Sequence, residues 1–577
     1  MERLRTVWGE TFDAKHVLPE YPRPAMKRES FYNLNGYWEY AFTKKCVFPK
    51  SYEGKIVVPF SPESVLSGVG RQLKPNEYLW YRRFLPKIKK EDYGKRILLH
   101  FGAVDQACRV WINRKFAGHH EGGYLPFTID ITSFVKEESM ELIVAVRDLS
   151  DTSYHARGKQ KLKAGGMFYT AQSGIWQTVW MECVPENYIK QVLCIPLYDE
   201  KRVDFTVITK EKEPVEICIR GEEKKQSYGW TNSVISVSFD MIHAWSPEDP
   251  WLYDVTISTK NDKIDTYFAM RVFSVEKNER GIPVLCLNHI PYYQKGILDQ
   301  GYWSDGLYTP PSDAAMIYDI VKMKQLGFCM IRKHLKIESQ RWYYHCDRLG
   351  MIVWQDMVNG GEAYHHWFVT YAATLFEQFG IHIGDKHAYL LSRRIKNGKK
   401  EFCRDMKKTI QTLSIHPSIA VWVIFNEGWG QFETKRLTEM VRRLDPLRLI
   451  DSSSGWFDQG CGDFQSRHHY FFRLWFRKKD QRAKVLSEYG GYCLEIAGHT
   501  EKEKKYGYRF YTTIKAFCEA FDKKEKELEE VWKEQGLSAA VYTQLSDVEG
   551  EVNGILTYDR KVCKYVEKEK RDERCIR

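Results

Sequence analysis

None of the 14 cysteines falls in a C-x-x-C pair or at a metal-ligand spacing, which speaks against a cysteine-built zinc site, and their scatter among hydrophobic runs reads as reduced and buried. No window approaches 18 apolar residues, so no membrane-spanning helix is expected. The opening residues MERLRTVWGETFD hold no apolar core of the signal-peptide kind, and the expected setting is a reducing cytoplasm. No internal repeat or low-complexity segment is present. The net charge of +11 comes without a zinc-finger or helix-turn-helix motif. Its basic residues are interleaved with acids, as in EKEKKYGYR (501–509) and KEKELEEVWKE (524–534), the pattern of solvated helix faces. Neither nucleic acid nor membrane is therefore expected as a partner. The turn HHEGGY lacks the Lys-Ser/Thr and helix of a phosphate loop.

What the sequence has is length and aromatic rings. A chain of 577 residues exceeds one core, and two to four domains are expected. Aromatics make up 14% of it, with 18 Trp, 35 Tyr and 30 Phe, which suits both packed cores and the faces of sugar rings. Residues 1–185 carry short alternating segments such as YLWYRRFLP and ELIVAVRD, with helical stretches nearly absent, so an antiparallel β-sandwich is expected. Residues 186–275 continue in that style (RVDFTVITK, PVEICIRG, SVISVSFD) at the size of one immunoglobulin-like sandwich. From residue 276 apolar strands alternate with helical patterns. The strands are PYYQKGI, FCMIRKH, MIVWQDM, IAVWVIFNE, RLIDSSS, DFQSRHHY, KVLSEYGG and AAVYTQLSD. Eight is the number that closes a (β/α)8 barrel. Two helices are marked between them, DAAMIYDIVKMKQLG, capped by Ser312 and stopped at Gly327, and KKEFCRDMKKTIQTLS. The tail KYVEKEKRDERCIR is expected to end in a frayed helix.

The chemistry-bearing residues stand at strand exits. Asn426 and Glu427 end IAVWVIFNE, and Glu488 ends KVLSE before a Tyr-Gly-Gly turn. The strand count puts Glu427 on the fourth strand and Glu488 on the seventh, across the mouth from one another. Two carboxylates on opposite sides of one pocket are what cleavage of a glycosidic bond requires. The histidine pairs 365–366 and 468–469 find no third ligand at a recognisable spacing and read as satisfied or pocket-lining side chains.

At these residues the chain resembles glycoside hydrolase family 2, which includes β-galactosidases, β-glucuronidases and β-mannosidases. The similarity runs in family order: an N-terminal sugar-binding-like jelly roll (YLWYRRF, LHFGAVDQACRVWINRKFAGHHEGGYLPFTIDIT), an immunoglobulin-like sandwich (WSPEDPWLYDV), then the barrel. There LNHIPYYQKGI, MIRKHLKIESQRWYYHCDRLGMIVWQD, HPSIAVWVIFNEGWGQ and VLSEYGG carry it. The resemblance implies an exo-acting, retaining β-glycosidase, with domains over 1–185, 186–275 and 276–577. It implies that Glu427 is the acid/base, protonated before glycosylation, and Glu488 the nucleophile, their carboxyls about 5–5.5 Å apart. It further implies that Asn426 holds the sugar's 2-hydroxyl, that Arg332 sits beside the nucleophile and that Tyr470 hydrogen-bonds it. Trp429 and His334 join the expected substrate-binding set.

The departures from the family bear on the sugar. After the first strand GILDQGYWSDG replaces an Arg-His-Glu-like turn, so Asp299, Gln300 and Trp303 are expected to build that wall. In IRKHLK, Leu335 takes the place of a family histidine and His334 stands one residue early. Glu551-Val552-Asn553 replaces the Asn-x-Lys that grips a glucuronate, and a carboxylate there opposes another. Tyr542 stands where a tryptophan platform is usual. QDMVNGGEAY lacks the Glu-x-His of magnesium-binding relatives, so no metal and no cofactor are expected. The expected partner is a small neutral glycoside, a β-galactoside foremost, with β-glucuronide, β-mannoside and arabinoside as alternatives and a non-catalytic carbohydrate-binding relic as a lesser one. A homo-oligomer is compatible with the sequence.

Overall fold

The computed structural model describes residues 3–134, 140–365, 367–379, 381, 383–470, 474, 476–477 and 480–566. The first sandwich pairs a six-stranded antiparallel sheet, from Gly36–Thr43 to Glu141–Arg147, with a four-stranded one that includes Arg96–Phe101 and Val179–Val184. Their inner faces enclose Trp38, Leu79, Leu99, Val144 and Met181, and this is the jelly roll. The second is an immunoglobulin-like sandwich of three and four strands. Along Arg202–Ile208 every second side chain is buried, so Val203, Phe205 and Val207 face Val215, Ile217 and Ile219. This is the period-two signature of a half-buried strand. Arg28 ties the two sandwiches together, reaching Glu182 at 3.2 Å and Asp262 at 2.9 Å.

The eight expected barrel strands all form. They are β1 (Gln294–Asp299), β2 (Met330–Lys333), β3 (Ile352–Asp356), β4 (Ile419–Val423), β5 (Leu449–Asp451), β6 (Phe464–His469), β7 (Ala483–Gly490) and β8 (Leu537–Thr543). They lie parallel in the order 5-4-3-2-1-8-7-6, a barrel closed by hydrogen bonds everywhere but between β5 and β6. Inside pack Leu298, Met330, Trp354, Val421, Val485 and Val541. The inner core also takes Phe273, Leu285 and Leu287, from a hairpin that plugs the N-terminal end and bonds Ser538 at the start of β8. The alternate residues Ile297, Ile331, Val353, Trp422, Leu486 and Tyr542 point outward against the helices.

Those helices include α1 (Asp313–Gln325), α2 (Gln340–Leu349), α3 (Lys396–Leu413), α4 (Thr434–Leu444) and α5 (Ile514–Gln535). Ser312 caps α1 by accepting from Ala315 N at 3.2 Å, and Gly327 turns the chain at φ +78°, as expected of a cap and a C-terminal glycine. Between β5 and β7, where strand–helix alternation was expected, no helix occurs among the described residues. The segment EKEKKYGYR is also not a helix face: residues 501–508 form loop, with Glu501 pushed up to about 7 by burial. Of the C-terminal tail, residues 567–577 lie outside the described residues. Lys564 before them is no fraying terminus, its ammonium being buried on Asp547 at 2.6 Å. No helix among the described residues is long and apolar enough to cross a membrane.

Candidate active site

Strand parity decides which side chains reach the mouth. On β2, Met330 lines the inner core, so Arg332 and His334 share its face while Lys333 turns out. Arg332 is fully buried and reaches four partners. Its Nε and Nη2 donate to the two Asp356 oxygens at 2.9 and 3.0 Å, and Nη2 also donates to Asn426 Oδ1 at 2.9 Å. Nη1 donates to Ser487 O at 3.0 Å and Glu488 Oε1 at 3.3 Å. One guanidinium thus locks β2, β3, β4 and β7 together, using the planar fork only arginine has.

Glu488 sits at an irregularity of the sheet. The β6–β7 register shifts between Arg467 and His468, so that His468 pairs with Glu488, a break of the kind that re-aims side chains beside active sites. Tyr470 donates to Glu488 Oε2 at 2.5 Å and is bonded at 3.1 Å to Thr543 Oγ1. Burial raises the Glu488 carboxyl. The donors and cations around it, His468, Arg332, His334 and Lys159, outweigh burial and bring it down to about 2. It is therefore an anion at any working pH.

Glu427 leaves β4 with φ +51°, its amide bonded to Ser454 O at 2.9 Å. A non-glycine residue in the left-handed region is uncommon and concentrates at functional sites. Its side chain is 17% exposed against 7% for Glu488, so it stands on the open side of the pair. Between them lies His468, with Nδ1 2.9 Å from Glu427 Oε1 and Nε2 3.6 Å from Glu488 Oε1. One carboxylate oxygen from each glutamate and a His468 nitrogen all lie within 4.8 Å of one another. Among the described residues no other His/Cys/Asp/Glu group comes as close, and these three are engaged with each other rather than poised as open ligands.

Six of the expected residues therefore converge: Arg332, His334, Asn426, Glu427, Tyr470 and Glu488. His334 Nδ1 lies 2.7 Å from Asp356, and its Nε2 is buried without a partner. Asn426 has its oxygen committed to Arg332, which leaves its Nδ2 as the available donor.

The structure corrects the rest. Asp299 shares the outer face of β1 with Ile297 and pairs with Lys333, beside Glu338; it belongs to a buried ion cluster behind the barrel. Gln300 beside it is buried. Trp303 packs edge-on against Trp8 with Arg560 4.2 Å over its ring, as a loop-packing residue. Tyr542 points outward against Tyr489 and Phe521 and offers no platform. Trp429 is 1% exposed, stacked at 5.4 Å on Phe168 of the first sandwich. Of the histidine pairs, His469 faces Lys524 on the outside and His365 packs on Tyr389; His366 lies outside the described residues.

Sequence reasoning read His468 only as one of a satisfied or pocket-lining pair and did not single out Asp356, Tyr508 or Lys159. Tyr508 stacks on Tyr470 at 4.3 Å. Lys159 comes from the first sandwich. Arg157 N and Gly158 N donate to Asn359 O at 3.0 and 3.1 Å, which docks its loop on the barrel mouth. Gly158 is required at φ +58°, since a Cβ would meet Leu335 O at 2.7 Å. Lys159 forms no ion pair among the described residues, yet its charge acts on Glu488, His334 and Glu551. Glu551 has both oxygens taken, by Tyr169 and by Asn553. The alternation of β3 carried a signal for Asp356; nothing local in GKQKLK points Lys159 at the barrel.

Against known families, residues 68–185 match the glycosyl hydrolases family 2 sugar binding domain. Residues 191–271 match the central family 2 domain and 312–574 its TIM barrel domain. Together these cover well over half of the chain. A β-galactosidase from Thermoanaerobacter pseudethanolicus is 26% identical over 391 residues, which are 64% of this chain and 47% of that protein. The chain thus spans less than half the length of such β-galactosidases. The human β-glucuronidase is 20% identical over 72% of this chain and 68% of its own. Among solved structures, a β-glucuronidase of an uncultured Clostridium species superposes with TM-score 0.72 at 18% identity, covering 94% of this chain and 97% of that one. A β-galacturonidase from Eisenbergiella tayi, bound to galacturonate, superposes with TM-score 0.69 at 17% identity over 94% and 96%. At those identities the likeness is one of fold.

Proposed function

The chain belongs to glycosyl hydrolase family 2, and from that premise we propose that it is an exo-acting, retaining β-glycosidase. One observation carries the reading: carboxylate oxygens of Glu427 and Glu488 within 4.8 Å of each other across one pocket. That spacing leaves no room for a water between sugar and carboxylate, the condition for direct attack rather than inversion. Glu427 protonates the departing oxygen while the Glu488 carboxylate attacks the anomeric carbon. Water, deprotonated by Glu427, then releases the sugar with its configuration retained. Arg332 and Tyr470 hold Glu488 ionised and aimed. Asn426 offers its Nδ2 to the 2-hydroxyl, where a bond that tightens in the transition state lowers the barrier.

A β-galactoside is the first substrate class, because Glu551 stands where a uronate-binding pair is expected and no cation among the described residues forms an ion pair with it. A β-uronide is the second reading, favoured by Lys159, which forms no ion pair among the described residues and whose charge reaches Glu488 and Glu551. Release of p-nitrophenol from the β-D-galactoside, galacturonide, glucuronide, mannoside and α-L-arabinopyranoside tests both. Labelling by a 2-deoxy-2-fluoroglycosyl fluoride at Glu488 tests the mechanism. Labelling at any other residue, or products of inverted configuration, defeats it.

A further inference from the structure

We propose that His468 is a positioning residue that makes the proton on Glu427 conditional on the charge of Glu488. This rests on the roles just assigned to the two glutamates and goes beyond them by giving the imidazole between them a task.

The ring has no freedom to do otherwise. It is completely buried, and Gly455 lies so close that a Cβ there would stand 2.8 Å from three ring atoms. Trp456 covers its other side at 5.2 Å between centroids. Nδ1 faces Glu427 Oε1 at 2.9 Å, and Nε2 faces Ser454 Oγ at 3.0 Å and Glu488 Oε1 at 3.6 Å. The other ionisable groups around it are Tyr470 just beyond β6, Asp451 from β5 and Arg332 from β2 through Glu488.

A neutral imidazole donates from one nitrogen and accepts at the other. With Glu488 a carboxylate, the proton belongs on Nε2, facing that charge. Nδ1 is then a lone pair pointing at Glu427 Oε1, and the contact is a hydrogen bond only if Glu427 carries the proton. The ionised nucleophile therefore presents the other glutamate as an acid, which the first step consumes. Once Glu488 is esterified its charge is gone and nothing holds the proton on Nε2. The same ring, its proton exchanged to Nδ1 without net gain or loss, can then donate to the Glu427 carboxylate, the base of the second step. Successive residues of a strand point to opposite faces, so His468 shares the inner face of Phe464 while His469 turns out.

Nitrogen-15 NMR of histidine-labelled enzyme, with His468→Gln to assign the resonance, is the direct experiment. The free enzyme is expected to hold His468 neutral with the proton on Nε2, and the 2-fluoroglycosyl enzyme to hold it on Nδ1. A proton on Nδ1 in the free enzyme, or a ring unchanged on labelling, overturns the proposal. If the fluoroglycosyl fluoride fails to label Glu488, the hydrolase reading falls instead, and the tautomer of the free enzyme still decides this one. Kinetics give a second readout. In His468→Phe the alkaline limb of kcat/KM should move to lower pH by about one unit. Alkyl glycosides should lose about 10²-fold, as expected for impaired acid catalysis. The 2,4-dinitrophenyl glycoside, whose leaving group needs no proton, should lose less than about tenfold. Equal losses on both leaving groups with an unmoved limb would mean a packing role only.

Discussion

The barrel mouth has two sides that differ in how they use the polar residues at their strand ends. On the side built from β2, β4, β6 and β7, Arg332, Asn426, Glu427, His468, Tyr470 and Glu488 converge within one bonded network. On the side of β1 and β8, Asp299 and Tyr542 stand at equivalent strand ends and turn away from it. The cause is the pleat. Arg332 is two residues from Met330 of the inner core; Asp299 is two residues from Ile297 of the outer one, and Tyr542 two from Ala540. On a regular strand a polar end residue reaches the mouth only with the parity of the inner core; Glu488, two residues from the outward Leu486, reaches it because β7 carries an extra residue there.

The sharpest test of this contrast is to neutralise the converging carboxylates. Glu488→Gln should cost kcat/KM about 10⁴-fold or more on p-nitrophenyl glycosides, because the proposed nucleophile is gone. Glu427→Gln should cost about 10²–10⁴-fold, and much less when 2,4-dinitrophenol leaves. A variant of either that keeps a tenth of wild-type turnover would collapse the distinction between the two sides.

Arg332→Met comes next, and here activity and stability should fall together. The substitution strands the Asp356 and Glu488 carboxylates in a buried site, and breaking such a pair costs about 3–5 kcal/mol. Urea unfolding reads the stability, and loss of activity without loss of stability would mean that Arg332 does not hold the site together. Tyr470→Phe should separate the two effects. It removes one bond to an ionised acceptor, of about 1.5–3 kcal/mol. That corresponds to about 10–10²-fold in kcat/KM, while the urea midpoint should stay near its original value.

These contrasts also show why the sequence was only partly readable. The barrel strands were legible because IAVWVIFNE and KVLSEYGG are uninterrupted apolar runs ended by carboxylates, and both glutamates fell out of that pattern. The same continuity hid parity. In AAVYTQ every residue is compatible with either face, so Tyr542 and Thr543 could not be told apart. Only the structure shows Thr543 bonded to Tyr470. His468 has the parity of the inner-core Phe464 and was read only as one of a satisfied or pocket-lining pair; the extra β7 residue beside Glu488 and the contact between segments some two hundred residues apart that brings in Lys159 are announced by no local pattern.

On the diverging side the expected effects are smaller and fall on stability. Asp299 is buried, and its pairing with Lys333 holds its carboxyl below the ordinary range against the opposing effect of burial. A depressed folded value stabilises above the unfolded value of about 3.9 and loses that contribution as pH falls through the folded one. Asp299→Asn should therefore be less stable than wild type at pH 7, with the gap closing below about pH 4. Its kcat/KM should stay within about threefold, the range left to a residue that touches neither sugar nor glutamates. A large loss of kcat/KM at full stability would return Asp299 to the pocket wall.

The smallest effect is expected at Tyr542. Its hydroxyl is buried with no hydrogen bond of good geometry, only the Tyr492 backbone lying near it, so it forfeits most of its hydration for little in return. Tyr542→Phe keeps the ring against Tyr489 and Phe521 and removes only that hydroxyl. Deleting an unsatisfied buried polar atom while conserving shape is neutral or stabilising, by up to about 1–3 kcal/mol. The melting temperature should hold or rise, and kcat and KM should not change. A fall in kcat/KM beyond about tenfold would mean that the hydroxyl reaches the substrate. The two sides of the mouth would then be alike after all, and parity would not be the rule that separates them.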